Sequence, residues 1–384
     1  MRKFKLFLIL MLSVMIIISL ALIPGCAQKA TTQETIAETT QETVVETTQE
    51  TVVETAGSGV EKEEITLDML VEYAKTEKPW PGKPGEGKKL AYAVNFAGNP
   101  FGDRVTDDIR KQAELAGIDV KNDFFYLDNK ADSVVALENA DILLAKNPDC
   151  FIQFQLDAKA NAVIAMKFAA AGIPMVAVDI PVPGAPFVGV NNWGVATWAG
   201  KETIKLIEER WGGWDAVDVV LMIQLPVGGE ICMLRSEGFA QTLVDKYGPD
   251  AEKKIVRVDG GTGDTLDAQK ASIEVISKYP DAKKWVVTGI DEEAIAGFQA
   301  AMELEGRWNK DNVITIGQGL DALGRQLVRE GITDGSIAYF PEKYGQYLVP
   351  VAIAQMLGLK VPASTYVFNE FITKDNIDEF YPAE

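Results

Sequence analysis

From about residue 89 the chain alternates short apolar runs with longer stretches whose apolar positions recur every three or four residues. The first pair sets the pattern: residues 90–96 read as a strand, and within 103–116 Val105, Ile109, Ala113 and Leu115 or Ala116 fall on one helical stripe that ends at Gly117. Strands at 124–127, 150–154 and 174–178 and helices at about 132–146 and 159–171 continue it, and a turn rich in Pro181, Pro183, Gly184 and Pro186 closes the series. A helix over about 194–210 leads to a second series, with strands at 217–223, 254–258, 284–288, 313–316 and 336–339 and helices at 230–247, 265–278, 292–303 and 320–330. Strands that alternate with helices in this way pair in parallel, because each return to the sheet needs a crossover long enough to hold a helix. The pattern predicts an α/β protein of two lobes, each a mainly parallel sheet flanked by helices.

Upstream of these units the pattern changes. Arg2, Lys3 and Lys5 precede residues 6–23, which are almost wholly apolar apart from Ser13 and Ser19, the layout of an export signal. Ile23, Pro24, Gly25 and Cys26 resemble the bacterial motif at which a cysteine is lipidated and becomes the mature N-terminus. An uncleaved anchor and plain secretion are the alternatives, since about 18 apolar residues reach the lower limit for a spanning helix; all three place the rest of the chain outside the cytoplasm. Residues 31–54 are three octads, each ending in Glu. Like charges four residues apart and many β-branched Thr and Val disfavour a helix there. Residues 1–25 therefore read as a lipoprotein signal peptide, 26–64 as the lipidated Cys26 and a disordered acidic tether, and 65–87 as a lead-in segment.

Composition removes several kinds of chemistry. The 384 residues contain no His, which excludes Ser-His-Asp triads, imidazole bases and imidazole metal ligands. No metal and no cofactor are expected. With 37 basic and 56 acidic residues the net charge is −19, so the chain repels phosphate backbones and nucleic acid is not an expected partner. Cys150 and Cys232 lack any CxxC spacing and read as buried free thiols, a disulfide between them being the alternative in an exported chain. Residues 82–89 fit GxxxxGK but lack the following Ser or Thr and precede a strand; the glycines at 260, 261 and 263 do not make GxGxxG. Neither a nucleotide loop nor a calcium loop is expected.

Open parallel sheets hold their ligands at the carboxyl ends of the strands. The residues at those ends are Asn95, Asn99 and Phe101, then Gln155 and Asp157, Asp179, Arg235, Asp291 and Gln318. No nucleophile and base stand out. Planar, fork-shaped side chains make paired hydrogen bonds to vicinal hydroxyls, and aromatic faces such as Phe101 and Trp193 pack on the apolar face of a sugar ring. This inventory suits a polyol ligand. Each residue also has a plain structural reading, Asn99 as turn chemistry before Pro100 and Asp179 as support for a helix N-terminus.

Asn99-Pro100-Phe101, the run 172–179 that ends in Asp179, and Arg235-Ser236-Glu237-Gly238-Phe239 resemble, in order and spacing, the bacterial type I sugar-binding proteins of ABC importers. The resemblance spans about residues 88–384, and the runs 284–291 and 316–322 look closer to arabinose binders than to ribose binders. It implies the two-lobed type I periplasmic-binding-protein fold with a three-strand hinge crossed near Val190, Tyr339 and Val367. The N-terminal lobe would then be 88–190 plus 340–366, and the C-terminal lobe 191–339 plus 367–384. It also implies that Asn95, Asn99 and Phe101 contact ligand from the first lobe, that Asp179 is the acid after the fourth strand, and that Arg235 grips ring oxygen or hydroxyls. Asp291 and Gln318 fall where arabinose binders carry ligand-contacting Asn, Tyr339 falls on the ribose binders' hinge Gln, and Asn192 and Trp193 are further candidate contacts. Ile180 and Gly319 depart from the family pattern, which has polar residues at those places. The implied function is capture of a pentose or hexose and its delivery to ABC permease subunits by a monomeric, lipid-anchored, non-enzymatic protein. A sensory sugar- or nucleoside-binding module for a membrane receptor and an exported carbohydrate-active enzyme, drawing on acids such as Asp179 and Asp291, are the alternatives.

Overall fold

The structure is a computed structural model that describes residues 65–382. Residues 1–64, which include the stretches expected to be a signal peptide and an acidic tether and the expected lipidation site Cys26, lie outside the described residues. The first helix, α1 (Leu67–Lys75), is capped by Thr66, whose Oγ1 accepts from Met69 N, and it buries Leu70 and Ala74. It is followed by β1 (Leu90–Val94), α2 (Pro100–Leu115), β2 (Phe124–Asp128), α3 (Ser133–Leu144), β3 (Cys150–Gln153), α4 (Ala158–Ala170), β4 (Met175–Val178) and β5 (Phe187–Gly189). The chain then enters α5 (Asn192–Trp211) and a second run of units: β6 (Val219–Gln224), α6 (Glu230–Tyr247), β7 (Ile255–Asp259), α7 (Thr265–Lys278), β8 (Trp285–Gly289), α8 (Glu292–Leu304), β9 (Val313–Gly319), α9 (Ala322–Glu330) and β10 (Gly335–Ala338). Helix α10 (Gly345–Met356), β11 (Ser364–Tyr366), β12 (Glu370–Ile372) and α11 (Ile377–Phe380) complete it.

Two six-stranded sheets result. The first runs β11-β5-β4-β3-β1-β2 and is parallel throughout; the second runs β12-β10-β9-β8-β6-β7, with only β12 antiparallel. The central strands β1, β3, β6 and β8 are buried along their whole length, as strands covered by helices on both faces must be. In each sheet the strand order reverses once, between β1 and β3 in the first and between β6 and β8 in the second, which opens a crevice at the carboxyl ends of those strands. The chain passes between the sheets three times, after β5, after β10 and between β11 and β12.

Several boundaries differ from the pattern-based expectation, each for a local reason. Helix α2 begins at Pro100 instead of 103 because Asn99 caps it and Pro100 sits in its first turn, where a missing N–H costs nothing. Likewise α5 begins at Asn192, capped by Asn191. Strand β5 lies between that turn and the next expected helix, in residues given no element, and it is too short for its alternation to be read. The lead-in segment packs on α2: Trp80 is buried and its Nε1 donates to Gln112 Oε1 at 3.3 Å, while Gln112 Nε2 donates to Ala74 O at 3.1 Å. Helix α10 contains Pro350 and starts at Gly345, where a Cβ would stand 2.3 Å from Asp108 O, so only glycine lets it approach α2 this closely. Cys150 and Cys232 are buried free thiols.

Candidate functional site

A cavity of about 440 Å³ opens between the two sheets at the crevices described above. Of the residues singled out from sequence, Asn95, Asn99, Phe101, Asp179, Arg235, Asp291, Gln318 and Tyr339 all line it. The loop after β1 supplies the first group. Asn95 Oδ1 accepts from Leu156 N at 3.1 Å, and Asn99 Oδ1 accepts from Phe101 N and Gly102 N at the start of α2. These bonds occupy the oxygen of each amide and leave the amino group for other partners. Phe101 meets Phe154 and Tyr344 edge to face, with centroids 6.1 and 5.4 Å apart, so its ring is fixed at the cavity wall.

Asp179 follows β4 and carries a left-handed backbone, φ 55°, in a tight turn. Gly189 is required beside it, because a Cβ there would lie 2.3 Å from Asp179 Oδ1. The carboxylate is buried and accepts from Val190 N and from the Tyr344 hydroxyl, both at 3.2 Å. Burial pushes its pKa up to about 6 against the opposing pull of the Arg235 charge. Arg235, on α6, is half-buried and held from two sides: Nε donates to Asn192 Oδ1 at 2.8 Å and Nη1 to Ile290 O at 2.6 Å. Its guanidinium lies over the Tyr339 ring, 5.0 Å from the centroid. The remaining N–H groups are free to meet a ligand. Gln318, at the end of β9, is wholly buried; its Oε1 accepts from the Tyr339 hydroxyl at 2.8 Å, and its Nε2 has no partner among the described residues. A buried amide donor left unmade costs about 1–3 kcal/mol. An acceptor entering the cavity would satisfy it.

The structure places two candidates away from the cavity. Asn192 is buried behind the site as the acceptor that orients Arg235, and Trp193 turns outward, 43% exposed, into a separate groove with Glu237 and Arg257. Consecutive helical residues point about 100° apart, so the two could not share one role. Gln155 and Asp157 also stay out: Asp157 caps α4 and accepts from Ser133 Oγ, while Gln155 Oε1 accepts from Asp157 N. Ile180, noted from sequence as a departure from the family pattern, is joined by an apolar wall that the sequence did not reveal, Phe154, Leu156, Leu225 and Ile290. Each stands just past a strand end and looked like a continuation of the strand. Nor did the sequence reveal the acidic wall of the second lobe, where Asp264, Glu292, Glu293 and Asp321 join Asp291. Asp264 and Asp321 cap α7 and α9, as Asp291 caps α8, and an Asp just ahead of a helix carries no signal beyond that common role. Glu292 is buried, accepts from Leu320 N at 2.8 Å and from Ser336 Oγ, and is pushed up to about 8 by burial. Among the described residues no group of three acidic or Cys side chains is arranged to hold a metal.

Residues 90–360 match the family described as periplasmic binding protein domain. The L-arabinose-binding periplasmic protein of Escherichia coli K12 is 24% identical over 225 residues, 56% of this chain and 67% of that protein. Among solved structures, an ABC transporter solute binding protein from Mycobacterium smegmatis with bound glycerol aligns with TM-score 0.66 at 20% identity, covering 77% of this chain and 98% of that one. The arabinose binding protein AraP from Geobacillus stearothermophilus aligns with TM-score 0.59 at 22% identity, over 77% of this chain and 99% of that one. A solute binding protein from Bacillus halodurans with bound myo-inositol aligns with TM-score 0.64 at 18% identity, over 77% and 98%. The two parallel sheets, the three crossings, the cleft between them and the match over residues 90–360 together show that the chain belongs to the periplasmic binding protein family, in its two-lobed type I form.

Proposed function

We propose that this protein captures a simple sugar, a pentose or hexose, between its two lobes outside the cytoplasm and delivers it to the permease of an ABC importer, tethered to the membrane through lipid on Cys26. The observation that carries the reading is the composition of the cleft: amide, carboxylate and guanidinium groups from both lobes face one cavity of about 440 Å³, together with Phe101 and an unpartnered buried donor on Gln318. That volume suits a small ligand, at the low end for such sites. The first lobe supplies Asn95, Asn99, Phe101 and Asp179; the second supplies Arg235, Asp291 and Gln318.

The mechanism is closure about the crossings. A sugar bonded to both lobes has its full set of contacts only when the lobes are together, so binding shifts the population toward the closed form that a permease would recognise. No covalent step is involved. The names of the relatives, an arabinose binder and proteins holding glycerol or myo-inositol, support the polyol class. A thermal-shift screen against pentoses, hexoses, deoxysugars, polyols and nucleosides, with product analysis on each hit, tests the proposal. One sugar that raises the melting temperature and is recovered intact supports it. Consumption of the sugar, or response to a nucleoside alone, overturns it.

A further inference from the structure

The walls of the cleft are unequal in charge. Among the described residues six carboxylates line it, Asp179, Asp264, Asp291, Glu292, Glu293 and Asp321, against the single cation Arg235. Among the described residues none of the six forms an ion pair. Most have other partners: Asp264, Asp291 and Asp321 accept from backbone N–H groups at helix N-termini, where the helix dipole offsets part of their charge, and Glu292 accepts from Leu320 N and Ser336 Oγ. Glu293 differs. Its side chain makes no hydrogen bond to another residue among the described residues, and burial together with the charge of Asp321 pushes it up to about 7. Beside it, Asp291 uses one oxygen as a cap and is raised by burial and by Glu293 and Glu292. Gln318 Nε2, wholly buried and unpartnered in the same cavity, independently marks this as a place where a ligand belongs.

With hydroxyls alone as partners these acids can relieve their mutual repulsion only by taking up protons, and closing the cleft, which removes the screening water, sharpens that demand. A bare metal ion does not fit, since no group of three acidic or Cys side chains among the described residues is arranged to hold one. An ammonium group on a sugar-sized skeleton supplies both several donors and the missing positive charge. Resting on the sugar-capture reading above, we infer that the cleft takes an amino sugar or another polyol bearing a protonated amine, the amine lying against Glu293 and Asp291, and that it rejects sugar acids and sugar phosphates. Arg235 then serves the opposite edge of the ligand, at the ring oxygen or hydroxyls.

The test is titration calorimetry of the protein with four probes in each of the D-glucose and D-galactose series: the parent hexose, the 2-amino sugar, its N-acetyl derivative and the uronate. The inference expects the amino sugar of one series to bind at least tenfold more tightly than its parent, the N-acetyl derivative to lose that gain, and the uronate to bind more weakly than the parent. Glu293→Gln should shrink the gap between amine and parent at least threefold. Asp291→Asn, which keeps the capping oxygen, provides the same comparison should the first variant fail to fold. A parent hexose that binds as tightly as its amine overturns the inference while leaving sugar capture intact. Silence of all eight probes, with pentoses and other sugars equally silent, overturns both.

Discussion

Replacing Arg235 by alanine removes the one cation that lines the cleft among the described residues, and the structure sets the size of the effect. Two of its N–H groups are engaged by Asn192 Oδ1 and Ile290 O, which fix the plane of the guanidinium over Tyr339 and leave the others for ligand oxygens. A hydrogen bond from a charged donor is worth about 1.5–3 kcal/mol, and two of them, less the solvation recovered by the free ligand, give about 2–4 kcal/mol. At roughly 1.4 kcal/mol per tenfold, the Kd for the captured sugar rises about 30- to 1,000-fold. Stability changes less. Asn192 and Ile290 lose a donor at a site that water can enter, and Asp179 loses the charge that holds its pKa down, so its carboxyl rises further. A loss of about 1 kcal/mol, or about 1–2 °C in melting temperature for a chain this long, is expected. Calorimetric titration of wild type and variant gives the affinities, and thermal melts of the unliganded proteins separate binding from folding. A folded variant whose Kd stays within threefold of wild type refutes the placement of Arg235 at the ligand.

Further perturbations test other parts of the site. Gln318→Leu removes the unpartnered Nε2 but also the acceptor of the Tyr339 hydroxyl, two effects of opposite sign and about 1–3 kcal/mol each; urea melts should show a net change within about 1 kcal/mol, while sugar affinity in a fluorescence titration falls roughly 5- to 150-fold. The Glu292 carboxyl is lifted by burial from an ordinary 4.5 to about 8, so between these values the native state holds more protons than the unfolded one and stability falls as pH rises. The unliganded protein should therefore melt higher at pH 5 than at pH 8.5, and Glu292→Gln, which does not titrate, should flatten that slope; an identical slope in the variant would assign it to other groups. Trp80→Ala empties a buried site between α1 and α2 and should cost about 3–5 kcal/mol, read as a lower urea midpoint, without changing the sugar preferred by the folded protein.

The two series of βα units were legible because strand and helix periods differ and each helix carries its own stop signal, as at Gly117. The cleft was legible where a polar side chain ends an apolar strand: Asn95, Asp179 and Gln318 interrupt runs that otherwise read as buried. The rest was hidden for definite reasons. Leu225 and Ile290 line the cavity with apolar side chains, which adjacent apolar strands mask. Tyr344 reaches Asp179 across 165 residues of sequence, a pairing that only the packing of α10 on the first sheet creates. Asn192 and Trp193 were adjacent candidates on one helix, yet only Asn192 faces Arg235. Helix α1 is short and flanked by charged residues, and Pro350 within α10 is a signal that argues against a helix until burial and packing override it.

The account rests on one intact sugar held from both lobes, and a crystal structure of the protein with the sugar that most raises its melting temperature tests this directly. The predicted result is a single unmodified sugar in the cleft, within hydrogen-bond distance of Asn95, Asn99 or Asp179 on one side and of Arg235, Asp291 or Gln318 on the other. A sugar bound elsewhere, touching one lobe alone, or cleaved would contradict it.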